Sequence, residues 1–181
     1  MTAPKTWRLG VAGLGTVGGG LLSFLADRPD FAPAGGRAVV GGVSARSRSR
    51  PRAFDISNIP WFDDAVALAT HPDTDIFVEL VGGSDGPAKA AVEAALKAGK
   101  PVVTANKALI AEHGAELAVL AEAKGVPLLF EAAVMGGVPA VKIVREALVG
   151  DDIRSIAGIL NGTCNYILTE MEATGRAFAD V

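Results

Sequence analysis

Hydrophobic residues fall along this chain in short, nearly unbroken runs, separated by longer stretches in which they recur every three or four positions. The run Trp7 to Ala12 reads as a strand, G-L-G-T-V-G-G-G follows it, and Leu21, Leu22, Phe24 and Leu25 then keep helical spacing. A loop around Pro33 to Gly36 precedes a second predicted strand, Ala38 to Val43, which gives way to the basic, serine-rich stretch Ser44 to Arg52. Asp63-Asp64 open a short predicted helix, Ala65 to Thr70, and Asp75 to Val81 is a compact apolar run bounded by Gly82-Gly83. The alanine-rich segment Gly86 to Ala98 carries Lys89, Glu93 and Lys97 on one helical face and stops at Gly99. Pro101 to Thr104 is the next strand, His113 to Lys124 a helix ending at Gly125, and Val126 to Phe130 a further strand.

Unbroken apolar strands separated by helices are what a parallel sheet covered on both faces requires. The pattern therefore predicts a doubly wound, Rossmann-type α/β domain over residues 1–135. Beyond it come a glycine-rich loop, Glu131 to Val138, a helix from Pro139 to about Leu148, a strand near Ile153 to Leu160, and a helix from Thr163 to Thr174. Residues 136–181 are near the lower limit at which a core can stand alone without staples or partners, so this second domain reads as incomplete.

Composition narrows the function. Seventeen basic against 20 acidic residues give a formal charge of −3, too balanced to neutralise a run of nucleic-acid phosphates. No apolar run approaches the ~20 residues that cross a bilayer, and the polar start, Met1 to Arg8, lacks the apolar core of a signal peptide. The single cysteine, Cys164, excludes an internal disulfide and reads as a small buried residue, which suits a reducing compartment; the cytoplasm is expected. His71 and His113 lack the spacing of a zinc site.

The first chemical motif is Gly13-x-Gly15-x-x-Gly18 between a strand and a helix. The first glycine permits the sharp turn, the second leaves room for a pyrophosphate, and the third lets the helix pack closely, its N-terminus facing the phosphates. A carboxylate that reads the ribose hydroxyls is expected at the end of the second strand, yet Ser44, Ala45, Arg46, Ser47, Arg48, Ser49 and Arg50 stand there. Guanidinium groups suit a 2′-phosphate, so NADP is favoured and NAD remains possible; a solvated basic loop is the alternative. Thr104-Ala105-Asn106-Lys107 lies at the C-terminal end of a strand, where an open α/β sheet presents its ligand crevice. Lys107 there can orient a substrate oxygen, contact the cofactor, or simply begin a helix in solvent. Glu131 to Pro139 can serve as an oxygen-lined cation loop or as a hinge, and Asn161-Gly162-Thr163-Cys164-Asn165-Tyr166 as a ligand-binding turn or as a helix start capped by Thr163.

In order and separation, G-L-G-T-V-G at 13–18, T-A-N-K at 104–107, E-A-A-V-M-G-G-V-P at 131–139 and N-G-T-C-N-Y-I-L at 161–168 resemble the homoserine dehydrogenases. The resemblance implies NAD(P)H-dependent reduction of L-aspartate 4-semialdehyde to L-homoserine, in the branch leading to threonine, methionine and isoleucine. It implies that Gly13, Leu14, Gly15, Thr16, Val17 and Gly18 wrap the pyrophosphate, with Ala45 and Arg46 at the adenosine end. It places Gly82, Gly83 and Thr104 along the cofactor and Lys107 at the nicotinamide and the reacting carbon, where the lysine is catalytic. Glu131, Val134, Gly136 and Val138 match the family's sodium loop, and Asn161, Gly162 and Thr163 the turn bordering the substrate. Members of the family continue with the rest of an α+β substrate and dimerisation domain, so the chain resembles their N-terminal part, and the full enzyme is expected to be a homodimer. A different Rossmann oxidoreductase, of the glucose-fructose oxidoreductase type, and a non-catalytic dinucleotide-binding fragment are the competing readings.

Overall fold

The computed structural model describes residues 5–29, 31, 36–158 and 161–181, and the chain divides into two compact units, Met1–Val138 and Pro139–Val181. The loop around Pro33 and the end of the strand expected near Ile153 to Leu160, residues 159 and 160, lie outside the described residues.

In the first unit, β1 (Lys5–Ala12), α1 (Thr16–Asp27), β2 (Gly36–Ser44), β3 (Trp61–Phe62), α2 (Ala65–Thr70), β4 (Ile76–Glu79), α3 (Pro87–Lys97), β5 (Val102–Thr104), α4 (Lys107–Lys124), β6 (Leu128–Leu129) and the single turn α5 (Glu131–Val134) follow one another. The six strands form one parallel sheet in the order β3-β2-β1-β4-β5-β6. The chain winds outward from β1 through β2 to β3, returns to the other side of β1, and continues through β4 to β6. This reversal between β1 and β4 opens a crevice at their C-terminal ends, the position at which doubly wound sheets bind ligands.

Alternate residues of the strands feed two cores. Val11, Val43 and Val78 pack with Leu22 of α1, whereas Phe77 and Val102 pack with Leu68 of α2, Val92 and Leu96 of α3, and Leu109 and Leu117 of α4. Both faces of the sheet are therefore covered, which is why the strands read as continuous apolar runs. The glycine pair inside β2 marks a register shift opposite Leu9 and Gly10. Across the outer end of the sheet, Arg8 of β1 grips Asp75 ahead of β4: its Nε and Nη2 donate to the carboxylate at 3.1 Å each, and its backbone N–H donates at 2.8 Å. The Arg8 guanidinium holds the Asp75 carboxyl below its ordinary range.

Several boundaries move for local reasons. Asp64 caps α2 as expected, its carboxylate accepting from Val66 N at 3.0 Å and Ala67 N at 3.2 Å. α4 starts at Lys107 rather than His113, because Asn106 caps it. β3 is only two residues long and was not legible as a strand.

The second unit holds α6 (Ala140–Lys142), which runs into a π-helical turn over Ile143–Ala147, then α7 (Gly162–Thr174) and a 3₁₀ turn at Phe178–Asp180. The strand predicted from Ile153 is absent over residues 153–158. A strand needs a hydrogen-bonded neighbour, and no other strand stands among the described residues of this unit. Cys164 is exposed, contrary to the expectation of burial, because no residue of α7 is buried.

Candidate functional site

The crevice begins at the turn after β1. Gly13 has φ +98° and donates its N–H to Ser44 O at 2.8 Å, which ties the turn to the end of β2. A Cβ at Gly13 would lie 2.3 Å from the carbonyl oxygen of Leu80, and one at Gly18 would lie 2.0 Å from that of Gly13. Both positions are glycine for reasons internal to the fold. Gly15 differs: nothing lies within 4 Å of where its Cβ would stand, and its φ of −82° suits any residue. It is the N-cap of α1, which has no side-chain cap and no acidic residue in its first turn. Gly15, Thr16 and Val17 are exposed. The first amides of a helix have no intrahelical acceptor and carry the positive end of its dipole, so this mouth offers donors to an anion that can approach the backbone closely.

Beside the mouth runs a cleft of about 380 Å³ whose wall includes Leu14, Ala45, Arg46, Arg50 and Arg52. Three arginines and no carboxylate line it. Arg52 folds the basic loop on itself: Nη1 donates to Arg48 O at 3.1 Å and Arg50 O at 2.9 Å, and Nη2 to Ser47 O at 2.6 Å. Its guanidinium lies 5.7 Å from the ring centre of Trp61. Sequence reasoning named Arg46, Arg48 and Arg50 as the guanidiniums of this stretch; Arg46 and Arg50 line the cleft, and Arg52, which also lines it, was missed. A larger hollow of about 490 Å³ lies along α1 near Phe54 and Ile59 and contains none of the predicted site residues.

On the other side of β1, a hollow of about 120 Å³ is bounded by Val17, Leu80, Val81, Gly82, Ala105 and Asn106. Gly82 and Gly83 turn the chain there with φ of +83° and +84°. Under the turn lies Glu79, the last residue of β4, fully buried. One carboxylate oxygen accepts from Val81 N at 2.7 Å, Gly82 N at 3.2 Å and, more weakly, Asn106 Nδ2 at 3.5 Å; the other accepts from the Thr104 hydroxyl at 2.6 Å. Thr104, predicted to touch the cofactor, is itself buried and also accepts from Asn106 N at 3.0 Å. Asn106 Nδ2 donates to Gly83 O at 2.6 Å, while its Oδ1 caps α4 by accepting from Leu109 N at 3.1 Å. Lys107, the next residue, is exposed at the start of α4. The signal for Glu79 was present in the sequence: a lone carboxylate inside the otherwise apolar run that leads to Gly82-Gly83.

The glycine loop expected at 131–138 starts as the helical turn α5, and Gly136 has φ +60°. Glu131 O accepts from Met135 N at 3.2 Å, and Met135 O from Val138 N at 3.2 Å. Carbonyls in a helical turn point along its axis. Asn161, not Thr163, caps α7: its Oδ1 accepts from Cys164 N at 2.8 Å, and Gly162 and Thr163 are exposed. Among the described residues, Asp85, Glu112 and His113 bring potential metal ligands within 4.8 Å of one another, a grouping that histidine spacing could not reveal. His113 also meets Glu116 at 2.9 Å, and Glu116 forms an ion pair with Lys89 at 2.8 Å, a polar network between α3 and α4. Among the described residues, no helix is long and apolar enough to cross a membrane.

Sheet order, glycine turn and uncapped helix together define a dinucleotide-binding domain of the doubly wound α/β class. Residues 13–131 match the family model described as "Homoserine dehydrogenase, NAD binding domain", and residues 139–181 match "Homoserine dehydrogenase". The chain belongs to the homoserine dehydrogenase family, and the glucose-fructose oxidoreductase alternative is not favoured. It is 45% identical over 174 residues to the homoserine dehydrogenase of Corynebacterium glutamicum, covering 95% of this chain and 39% of the relative. With that of Pseudomonas aeruginosa the identity is 44% over 178 residues, covering 98% and 41%. The chain thus spans about two fifths of the length of these curated relatives. Among solved structures, it resembles a homoserine dehydrogenase from Thiobacillus denitrificans with a TM-score of 0.88 and 42% identity, over 97% of this chain and 41% of that one. A hyperthermophilic archaeal homoserine dehydrogenase in complex with NADPH gives a TM-score of 0.81 at 25% identity, over 97% and 59%.

Proposed function

We propose that this chain supplies the cofactor half of an NADP-preferring homoserine dehydrogenase, which interconverts L-aspartate 4-semialdehyde and L-homoserine. The observation that carries the cofactor reading is the open space at Gly15 over the uncapped start of α1: a cradle that a Cβ would fill and a diphosphate fits. The amides from Leu14 to Gly18 hold the diphosphate, and Arg46 and Arg50 hold the 2′-phosphate at the far end of the cleft. Gly82 and Gly83 form the floor beneath the nicotinamide, which when bound supplies the hydride. Lys107 orients the aldehyde oxygen and gives a proton to the alkoxide that the hydride leaves. The NADPH complex of the archaeal family member supports the choice of nucleotide.

The sodium expectation fits less well. Residues 131–134 form a helical turn in which the Glu131 carbonyl is already taken by Met135 N, an arrangement that does not by itself favour a sodium ion at Glu131, Val134, Gly136 and Val138. The same reading takes the whole protein as a cytoplasmic homodimer serving threonine, methionine and isoleucine synthesis.

Two measurements test it. Titration of the chain with NADPH, followed by nicotinamide fluorescence, is expected to saturate; no saturable binding rejects the cofactor role. A chimera joining residues 1–181 to the remainder of the Pseudomonas aeruginosa relative is expected to oxidise L-homoserine with NADP⁺, and Lys107→Ala to abolish turnover. A folded chimera that binds NADPH but acts on no homoserine rejects the substrate assignment.

A further inference from the structure

We propose that Glu79 is the positioning residue of the nicotinamide end of the crevice: its carboxylate fastens the Gly82–Gly83 turn to the Thr104–Asn106 turn, and so sets the place of both. The inference rests on the cofactor reading above and adds to it a residue that touches neither cofactor nor substrate.

The hydrogen-bond partners of this carboxylate are all donors. Val81 N–H and Gly82 N–H come from the turn after β4, while the Thr104 hydroxyl and Asn106 Nδ2 come from the turn after β5. The Thr104 oxygen already accepts from the Asn106 N–H, so its own hydrogen is left for Glu79. A carboxylate is the side chain that can accept at all four points. Asn106 closes the ring by donating to Gly83 O at 2.6 Å while capping the helix that Lys107 begins. The two turns belong to neighbouring strands, and β4 and β5 pair directly up to Glu79 and Thr104. Beyond that last pair, the strand ladder ends. One backbone bond, from Ala105 N to Glu79 O at 3.3 Å, continues it, and side chains carry the rest.

An amide in place of the acid cannot satisfy this ring. In Glu79→Gln the new NH₂ must either face the three N–H donors or turn toward Thr104, whose hydroxyl hydrogen then loses its acceptor. The Gly82–Gly83 and Thr104–Asn106 turns separate, while the basic loop, held by the bonds of Arg52, shares none of these partners; Leu80 and Val81 border both hollows, so the adenosine side feels the change only through them.

The test compares NADPH with 2′-phospho-ADP-ribose, the same molecule without its nicotinamide, by calorimetric titration of the 181-residue chain. Glu79→Gln is expected to weaken NADPH about tenfold, the effect of one unsatisfied buried donor, and to change 2′-phospho-ADP-ribose by less than about twofold. Asn106→Ser carries the same test should the first variant fail to fold, because serine still caps α4 but cannot reach Gly83 O; the same selective loss is expected. Equal losses for the two ligands mean a merely structural role and overturn the proposal, as does unchanged NADPH affinity in a folded variant. A wild-type chain that binds neither ligand removes the cofactor reading, and this inference with it.

Discussion

The three glycines of the turn make a prediction that separates fold from ligand. In Gly13→Ala the new methyl group lies 2.3 Å from the Leu80 carbonyl oxygen, so the backbone must give about 1 Å to reach an ordinary C···O contact of ~3.3 Å. Overpacking of that kind costs about 1–3 kcal/mol, and a non-glycine residue at φ +98° adds roughly 1–2 kcal/mol. The sum is about 2–5 kcal/mol, or a fall in Tm of roughly 4–20 °C for a chain of this size. In Gly15→Ala the methyl group meets nothing within 4 Å. Losing glycine's chain entropy helps slightly, and losing a tolerable N-cap hurts slightly, so stability changes by less than about 1 kcal/mol. Yet the methyl group occupies the space a diphosphate needs, and NADPH affinity is expected to fall at least about tenfold. Thermal melts and NADPH titrations of the two variants decide the matter. A Gly15→Ala chain that binds NADPH as wild type does, or that melts as low as Gly13→Ala, refutes the reasoning.

Other expectations follow from the same geometry. Arg46→Ala and Arg50→Ala are each expected to weaken NADPH about tenfold and NADH by less than about twofold; parallel losses in paired titrations remove the 2′-phosphate assignment. Asp75 has a depressed pKa through its bonds to Arg8, so the stability it adds is present above the unfolded value near ~4 and is lost as pH falls through the folded value. The Tm gap between wild type and Asp75→Asn is therefore expected to be largest near neutrality and to close in acid, and a gap independent of pH contradicts it. Asp64→Ala removes both cap bonds of α2 and is expected to cost about 1 kcal/mol, or ~2–4 °C in Tm.

Much of the first unit was legible because its signals are local. Strands buried on both faces are continuous in hydrophobicity, helices end at Gly99 and Gly125, and Asp64 announces its helix. What escaped depends on distance in space. Trp61 and Phe62 count as a strand only through pairing with Val43 and Ser44. Glu79 matters because residues 2 to 27 positions later converge on it. The segment from Ile153 failed as a strand for the complementary reason: apolar residues propose a strand, and a neighbour has to accept it. Cys164 was misread because burial of a small residue needs a second layer to cover it, and no residue of α7 is covered.

The knot that Arg52 ties in the basic loop has a thermodynamic consequence. Three of the loop's carbonyls are already committed to one guanidinium before any nucleotide arrives. A flexible arginine-rich hairpin has to surrender chain entropy when it closes on a phosphate, whereas a loop laced from within gives up far less. On the proposed reading of this cleft as the adenosine site, replacing Arg52 leaves Arg46 and Arg50 in place but frees the Ser47, Arg48 and Arg50 carbonyls, so the loop has more chain entropy to lose when it closes over a phosphate.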